Sequence, residues 1–140
     1  MNLAIAILLA MAWDGPVSCM PNGYEASRAV SPSHLEGDFD GDGKLDTAVV
    51  VTRRGEQGVV ICRGNGMTPI VLGAGASFNA MRNLDFTGWR IHPKNRRAGR
   101  GAGAGRPPIL SGDALLLEWE SGSGIVYWNG ARFVWYQQGD

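Results

Sequence analysis

Charge imbalance is the first thing this 140-residue sequence lacks: thirteen Lys and Arg offset thirteen Asp and Glu, and the formal net charge is zero. Bulk charge therefore nominates neither nucleic acid nor a membrane surface as a partner. Histidine is scarce, with only His34 and His92, each beside a polar, Pro-containing stretch that reads as surface. No Cys-x-x-Cys or His-x-x-x-His spacing is present, which excludes the common zinc arrangements. Gly101, Gly103 and Gly105 alternate, but no strand leads into them and no Lys-Ser/Thr follows, so they are not a phosphate loop. Asp113 and Glu120 alone do not make a glycosidase pair, and serines alone do not make a triad. The chain is read as a binding module and not as an enzyme. Helical periodicity is also missing. With 21 glycines and many turn signals, the composition points to one all-β domain of short strands.

No apolar run approaches the about 20 residues that a transmembrane helix needs. Met1 to Ala12 is apolar and ends in Ala10-Met11-Ala12, which fits a signal peptide cleaved after Ala12, although no Lys or Arg precedes it. A buried first element is the alternative. Export implies the periplasm or the cell exterior. There the only two cysteines, Cys19 and Cys62, would form a disulfide, the alternative being two buried thiols. Pro16 and the Trp13-Asp14-Gly15 break argue against lipidation of Cys19.

Residues 13–35 are weakly patterned and read as an N-terminal arm, with residues 36–140 as the domain. Thr47 to Thr52 is a β-branched run typical of a buried strand, with Val59 to Cys62 as its hairpin partner. Ile70-Val71-Leu72, Phe86 to Ile91 and Ala114 to Trp119 read as further strands, while residues 73–85 are ambiguous. Arg97 to Arg106 is rich in Gly, Arg and Ala without apolar period, so residues 93–108 read as a mobile, solvated loop. The clearest hairpin is the last. Gly124 to Trp128 and Ala131 to Tyr136 flank Asn129-Gly130, which suits a two-residue type I′ turn. Such a turn would pair Trp128 with Ala131, Val126 with Phe133 and Ile125 with Val134. Val126, Trp128, Phe133 and Trp135 then share one face, and Ile125, Tyr127, Val134 and Tyr136 the other. Both faces are apolar, which makes Tyr127, Trp128, Phe133, Trp135 and Tyr136 a candidate partner surface.

One segment carries recognisable chemistry: Asp38-Phe39-Asp40-Gly41-Asp42-Gly43-Lys44-Leu45-Asp46. Ca2+ takes six to eight oxygen ligands, and alternating Asp residues let a tight loop turn several carboxylates inward. Without a cation, four crowded carboxylates repel one another. The candidate ligands are the carboxylates of Asp38, Asp40, Asp42 and Asp46 and the carbonyl of Lys44. This is not an EF-hand, which needs Glu at the twelfth position, where Val49 stands. A phosphatase of the Asp-x-Asp type would want an apolar strand before the first Asp, and Ser33-His34-Leu35-Glu36-Gly37 is not one.

The stretch Glu36 to Val50 resembles an FG-GAP or VCBS-type calcium repeat. The resemblance implies a structural Ca2+ in a loop joining two strands of a propeller-like blade, with ligands at Asp38, Asp40, Asp42, Asp46 and the Lys44 carbonyl. It covers one short segment, and no second copy follows, so a whole propeller is excluded. The C-terminal half resembles small secreted proteobacterial proteins of unknown role that pair one such loop with an aromatic hairpin. The expected function is a calcium-stabilised periplasmic or secreted module that binds another protein or a cell-envelope component. The alternatives are an inhibitor or immunity protein of a cell-wall hydrolase and, less favoured, a hydrolase.

Overall fold

The computed structural model describes residues 19–101 and 103–139, so the expected leader and the first part of the arm lie outside the described residues. Nine strands form two antiparallel sheets, with no α-helix among the described residues and hence none long and apolar enough to cross a membrane. The first sheet holds β1 (Glu25–Ala26), β2 (His34–Gly37), β3 (Asp46–Arg53), β4 (Glu56–Cys62) and β5 (Ile70–Gly73). Its centre is the β-branched run of β3, which pairs with β4 on one side and with both β1 and β2 along the other. Arg54 and Gly55 join β3 to β4 with φ of 52° and 79°, the left-handed pair that a tight hairpin needs. The arm thus contributes β1 and the first half of β2, which its weak patterning did not suggest. The second sheet holds β6 (Gly88–His92), β7 (Ala114–Trp119), β8 (Gly122–Trp128) and β9 (Phe133–Gly139), paired in that order. The fold is the expected small all-β arrangement of hairpins, an open sandwich in which neither sheet closes into a barrel.

Strand alternation builds the core. Ala48, Val50, Val59 and Ile61 of the first sheet face Leu115, Leu117 and Val126 of the second, with Phe39, Leu84 and Phe86 filling the space between. Each sheet also buries its outer face. Val49, Val51 and Val60 lie beneath Cys19, Met20 and Tyr24, and a Cys19–Cys62 disulfide pins that strap with a Cα–Cα distance of 5.9 Å. Ala114, Leu116, Ile125 and Tyr136 lie beneath Ala98, Ala104 and Leu110. Apolar residues on both faces of the central strands follow from this double covering.

The second strap is the Gly/Arg-rich segment read as a mobile loop; most of its described residues are exposed, while Ala98 and Gly101 are buried against the sheet. Gly99 N–H donates to Gln138 Oε1 at 3.2 Å, and Tyr136 O–H donates to the Gly105 carbonyl at 2.8 Å. Its small residues permit the approach: a Cβ on Gly101 would stand 3.2 Å from the Gln137 carbonyl oxygen. His92, read as a surface residue, is buried, and its Nε2 lies 2.8 Å from the Arg96 carbonyl oxygen at the start of the same segment.

The aromatic hairpin forms with a different register. Trp128 pairs with Phe133, Val126 with Trp135 and Ile125 with Tyr136. Asn129 N–H donates to the Arg132 carbonyl at 3.0 Å, and Asn129 Oδ1 accepts from the Ala131 and Arg132 amides. Gly130 and Ala131, not Asn129 and Gly130, therefore occupy the turn's centre, with Gly130 at φ 103°. The shift preserves the two faces, because side chains alternate with a period of two. The candidate partner surface needs correction. Phe133 is only 6% exposed in the inter-sheet core and Tyr136 only 9% exposed under the Gly/Arg-rich strap, so neither presents a free surface. Tyr127, Trp128 and Trp135 are half-buried.

Candidate metal centre

The Asp loop is the connection between β2 and β3. Two turns of sequence logic shape it. Gly41 and Gly43 adopt φ of 75° and 85°, so the chain reverses tightly between the alternating aspartates. Phe39 points the opposite way, fully buried in the inter-sheet core, and so anchors the loop. The carboxylates of Asp38, Asp40 and Asp42 converge, with one oxygen of each lying within 4.8 Å of the others. These three form a group that could hold a metal ion.

Backbone amides support the cluster. Asp38 Oδ1 accepts from Asp42 N–H at 3.1 Å, and its Oδ2 from Gly43 N–H at 2.8 Å. Asp42 Oδ1 accepts from Lys44 N–H at 2.9 Å. Asn65, on the turn after β4, donates its amide to Asp42 Oδ2 at 3.0 Å and to Asp40 Oδ2 at 3.4 Å. Burial pushes the Asp40 carboxyl up to about 6, aided by the charges of Asp46 and Asp42 and opposed by the Asp42 amide. The Lys44 amide, with side-chain hydrogen bonds from Asp40 and Asn65, holds Asp42 below its ordinary value. Burial thus works against a negative charge on Asp40, and a cation beside it would relieve the conflict.

Asp46, expected as the closing ligand, stands apart from this group. It is buried at 1% exposure and accepts from two backbone amides, Phe39 N–H on Oδ2 and Gly64 N–H on Oδ1, both at 2.8 Å. Its role here is to tie the start of the loop to the end of β4. Lys44, whose carbonyl was the fifth expected ligand, supplies an amide to the cluster and is itself exposed.

Sequence reasoning missed Asp113 and Asn65. Asp38 and Asp113 bond reciprocally: Asp113 N–H donates to the Asp38 carbonyl at 2.8 Å, and Asp38 N–H donates to Asp113 Oδ2 at 3.1 Å. Asp113 Oδ1 also accepts from Lys94 N–H at 3.1 Å. Gly112 makes this approach possible, since a Cβ there would stand 2.5 Å from the Asp38 carbonyl oxygen. The Asp loop is therefore fastened to both sheets, through Asp46 and Asn65 to the first and through Asp113 to the second. A residue 75 positions away in sequence leaves no local signal of that fastening. Comparison of the chain with protein-family models, with curated proteins and with solved structures returned no match.

Proposed function

We propose that the Asp loop holds a structural Ca2+, in the manner of an FG-GAP or VCBS-type repeat, and that the chain is a calcium-stabilised binding module of the periplasm or the cell exterior. The observation that carries the reading is the convergence of Asp38, Asp40 and Asp42 in a loop sewn to both sheets. Carboxylate oxygens suit a hard divalent ion, and the flexible geometry around an exposed loop suits Ca2+ better than Mg2+, which demands near-ideal octahedra. Asp38, Asp40 and Asp42 would supply carboxylate oxygens, with water and backbone carbonyls filling the remaining positions. Asp46 serves as the brace beneath them. An ion at this position screens the repulsion among the three carboxylates and stiffens the junction of the two sheets. Its contribution is to stability, since nothing in the loop resembles a reacting group.

Ions that bind the native state alone raise its stability by mass action. Thermal unfolding of the full chain should shift upward with calcium, and the shift should reverse with a chelator. Asp42→Asn, an exposed change, should leave the chelated protein intact and remove the response. Melting indifferent to calcium and chelator would overturn the reading. Export is tested separately: the mature N-terminus, read by mass spectrometry from the native host, should lie near Trp13.

A further inference from the structure

A cavity lined by none of the Asp-loop residues has a composition that suits one ligand chemistry. It has a volume of about 290 Å3 and is lined by Trp119, Trp135, Asn79, Ser121, Ser123 and Gln137, together with Met81. No charged side chain lines it among the described residues. We propose that this cavity binds a neutral saccharide, with a pyranose ring against the Trp119–Trp135 pair and its hydroxyls on Asn79, Gln137 and the serines.

The two indoles are built as fixed surfaces. Trp119 and Trp135 meet edge to face with ring centroids 5.6 Å apart, and Phe86 backs Trp119 at 6.2 Å from the core side. Both ring N–H groups are already bonded, Trp119 Nε1 to Asp85 Oδ1 at 2.7 Å and Trp135 Nε1 to Gln137 Oε1 at 3.3 Å. What the rings still offer is π surface, and both remain half-buried instead of sealed in the core. The packing of Trp135 depends on Gly124, where any Cβ would overlap the indole.

The polar wall is equally specific. Asn79 and Ala80 have φ of 50° and 63°, an uncommon conformation for consecutive non-glycine residues, in the turn bridged by Phe78 and Met81. That turn carries Asn79 to the cavity. Gln137 reaches it from β9, where its Nε2 donates to the Ser123 carbonyl at 3.2 Å. Amides and hydroxyls both donate and accept, as sugar hydroxyls do, whereas a charged ligand would find no counter-charge. An indole face with neutral amides and hydroxyls at its margin matches a pyranose ring, which has an apolar C–H face and a hydroxylated rim. The volume stands near the lower end of the ~300–1,000 Å3 range of small-molecule sites, which suits a terminal sugar and not a long chain. The inference gives the binding module of the preceding reading a ligand, yet it stands on different residues and needs no calcium.

The test uses the full chain, with chitotriose, cellotriose and maltotriose as neutral probes and trigalacturonate as the charged control. Tryptophan fluorescence and saturation-transfer NMR follow binding. At least one neutral probe should saturate at millimolar concentration, with transfer to its ring C–H protons, and trigalacturonate should not. Trp119→Ala should abolish the signal. Because that change could also loosen the core, Asn79→Gly is the second variant. Glycine accepts the positive φ without strain, so the fold is kept while one amide is removed. Affinity should fall roughly fivefold to tenfold, the equivalent of one lost hydrogen bond. No neutral probe binding, binding of trigalacturonate alone, or binding that Asn79→Gly leaves unchanged would each overturn the proposal. Repeating the titration with chelator separates it from the metal reading: saccharide binding should persist whether or not melting responds to calcium.

Discussion

Asp46→Asn separates a brace from a ligand. Wild-type Asp46 is buried and places one oxygen on Phe39 N–H and the other on Gly64 N–H, each at 2.8 Å. Asparagine keeps the shape and one acceptor but turns an NH2 group toward one of the two amides. One charge-assisted hydrogen bond is lost, worth about 1.5–3 kcal/mol, and an amide is left facing another donor. For a chain of this size that loss corresponds to a drop of roughly 5–12 °C in melting temperature. The cost should appear in full with chelator present, because the brace acts without an ion. Asp42 offers the contrast, being exposed, so Asp42→Asn should cost little in chelator and should remove the upward shift with calcium. Paired thermal melts of the two variants, with calcium and with chelator, check both statements. An Asp46→Asn protein that melts like the wild type in chelator and differs only when calcium is added would refute the brace and restore Asp46 as a ligand.

Three further outcomes follow from the packing. Tyr136→Phe should lower stability by about 1 kcal/mol in urea unfolding through loss of the bond to Gly105, while Tyr136→Ala should cost about 3–5 kcal/mol, as buried aromatic truncations do. Removing the Cys19–Cys62 disulfide by a paired Ser substitution should cost about 4 kcal/mol by loop-closure entropy, given its sequence separation of 43, and guanidinium unfolding with and without reductant measures it. Gly112→Ala should loosen the contact between Asp38 and Asp113, because the new Cβ would stand 2.5 Å from the Asp38 carbonyl oxygen; hydrogen exchange at the Asp113 amide should speed up before the rest of the sheet does.

Much of the sheet structure is legible in the sequence because its signals are local. The β-branched run of β3 and the Arg54-Gly55 turn lie within a few residues of one another, and so do the alternating faces of β8 and β9. The register of the last hairpin was not legible to that extent. An Asn-Gly pair suits the centre of a type I′ turn, but Asn129 also caps a turn from its first position by accepting from two following amides, and the second arrangement wins here. The Gly/Arg-rich strap was illegible for a different reason. Among its described residues the apolar contacts on the sheet are Ala98, Ala104 and Leu110, too sparse to show a period, yet small residues are what a segment needs to lie flat on a sheet. In the candidate metal centre, the alternation of Asp38, Asp40 and Asp42 was visible, while the two backbone bonds of Asp46 were not. Its partners, Phe39 and Gly64, are backbone amides, and a backbone amide has no letter in a sequence.

The sequence holds no second copy of the Asp motif, but the architecture does repeat. β2 to β5 form a four-stranded meander, and β6 to β9 form another. In each, the first hairpin carries the long connection: the Asp loop between β2 and β3, and the Gly/Arg-rich strap between β6 and β7. The two connections meet where Asp38 and Asp113 exchange hydrogen bonds. One connection is acidic and the other carries Lys94, Arg96, Arg97, Arg100 and Arg106, yet the two do not neutralise each other through side-chain ion pairs. Among the described residues the ion pairs are Arg82–Glu56 and Arg90–Glu118, both away from the loop. The carboxylates of Asp38, Asp40 and Asp42 take their hydrogen bonds from amides, and Lys44 adds a favourable charge near Asp42 without an ion pair. Amides supply partial positive charge and leave most of the repulsion among three carboxylates uncompensated. The basic strap spends its nearest contact, the Lys94 amide, on Asp113 instead. Three converging carboxylates that form no ion pair among the described residues carry charge that the proposed divalent ion would balance, which is the physical case for it.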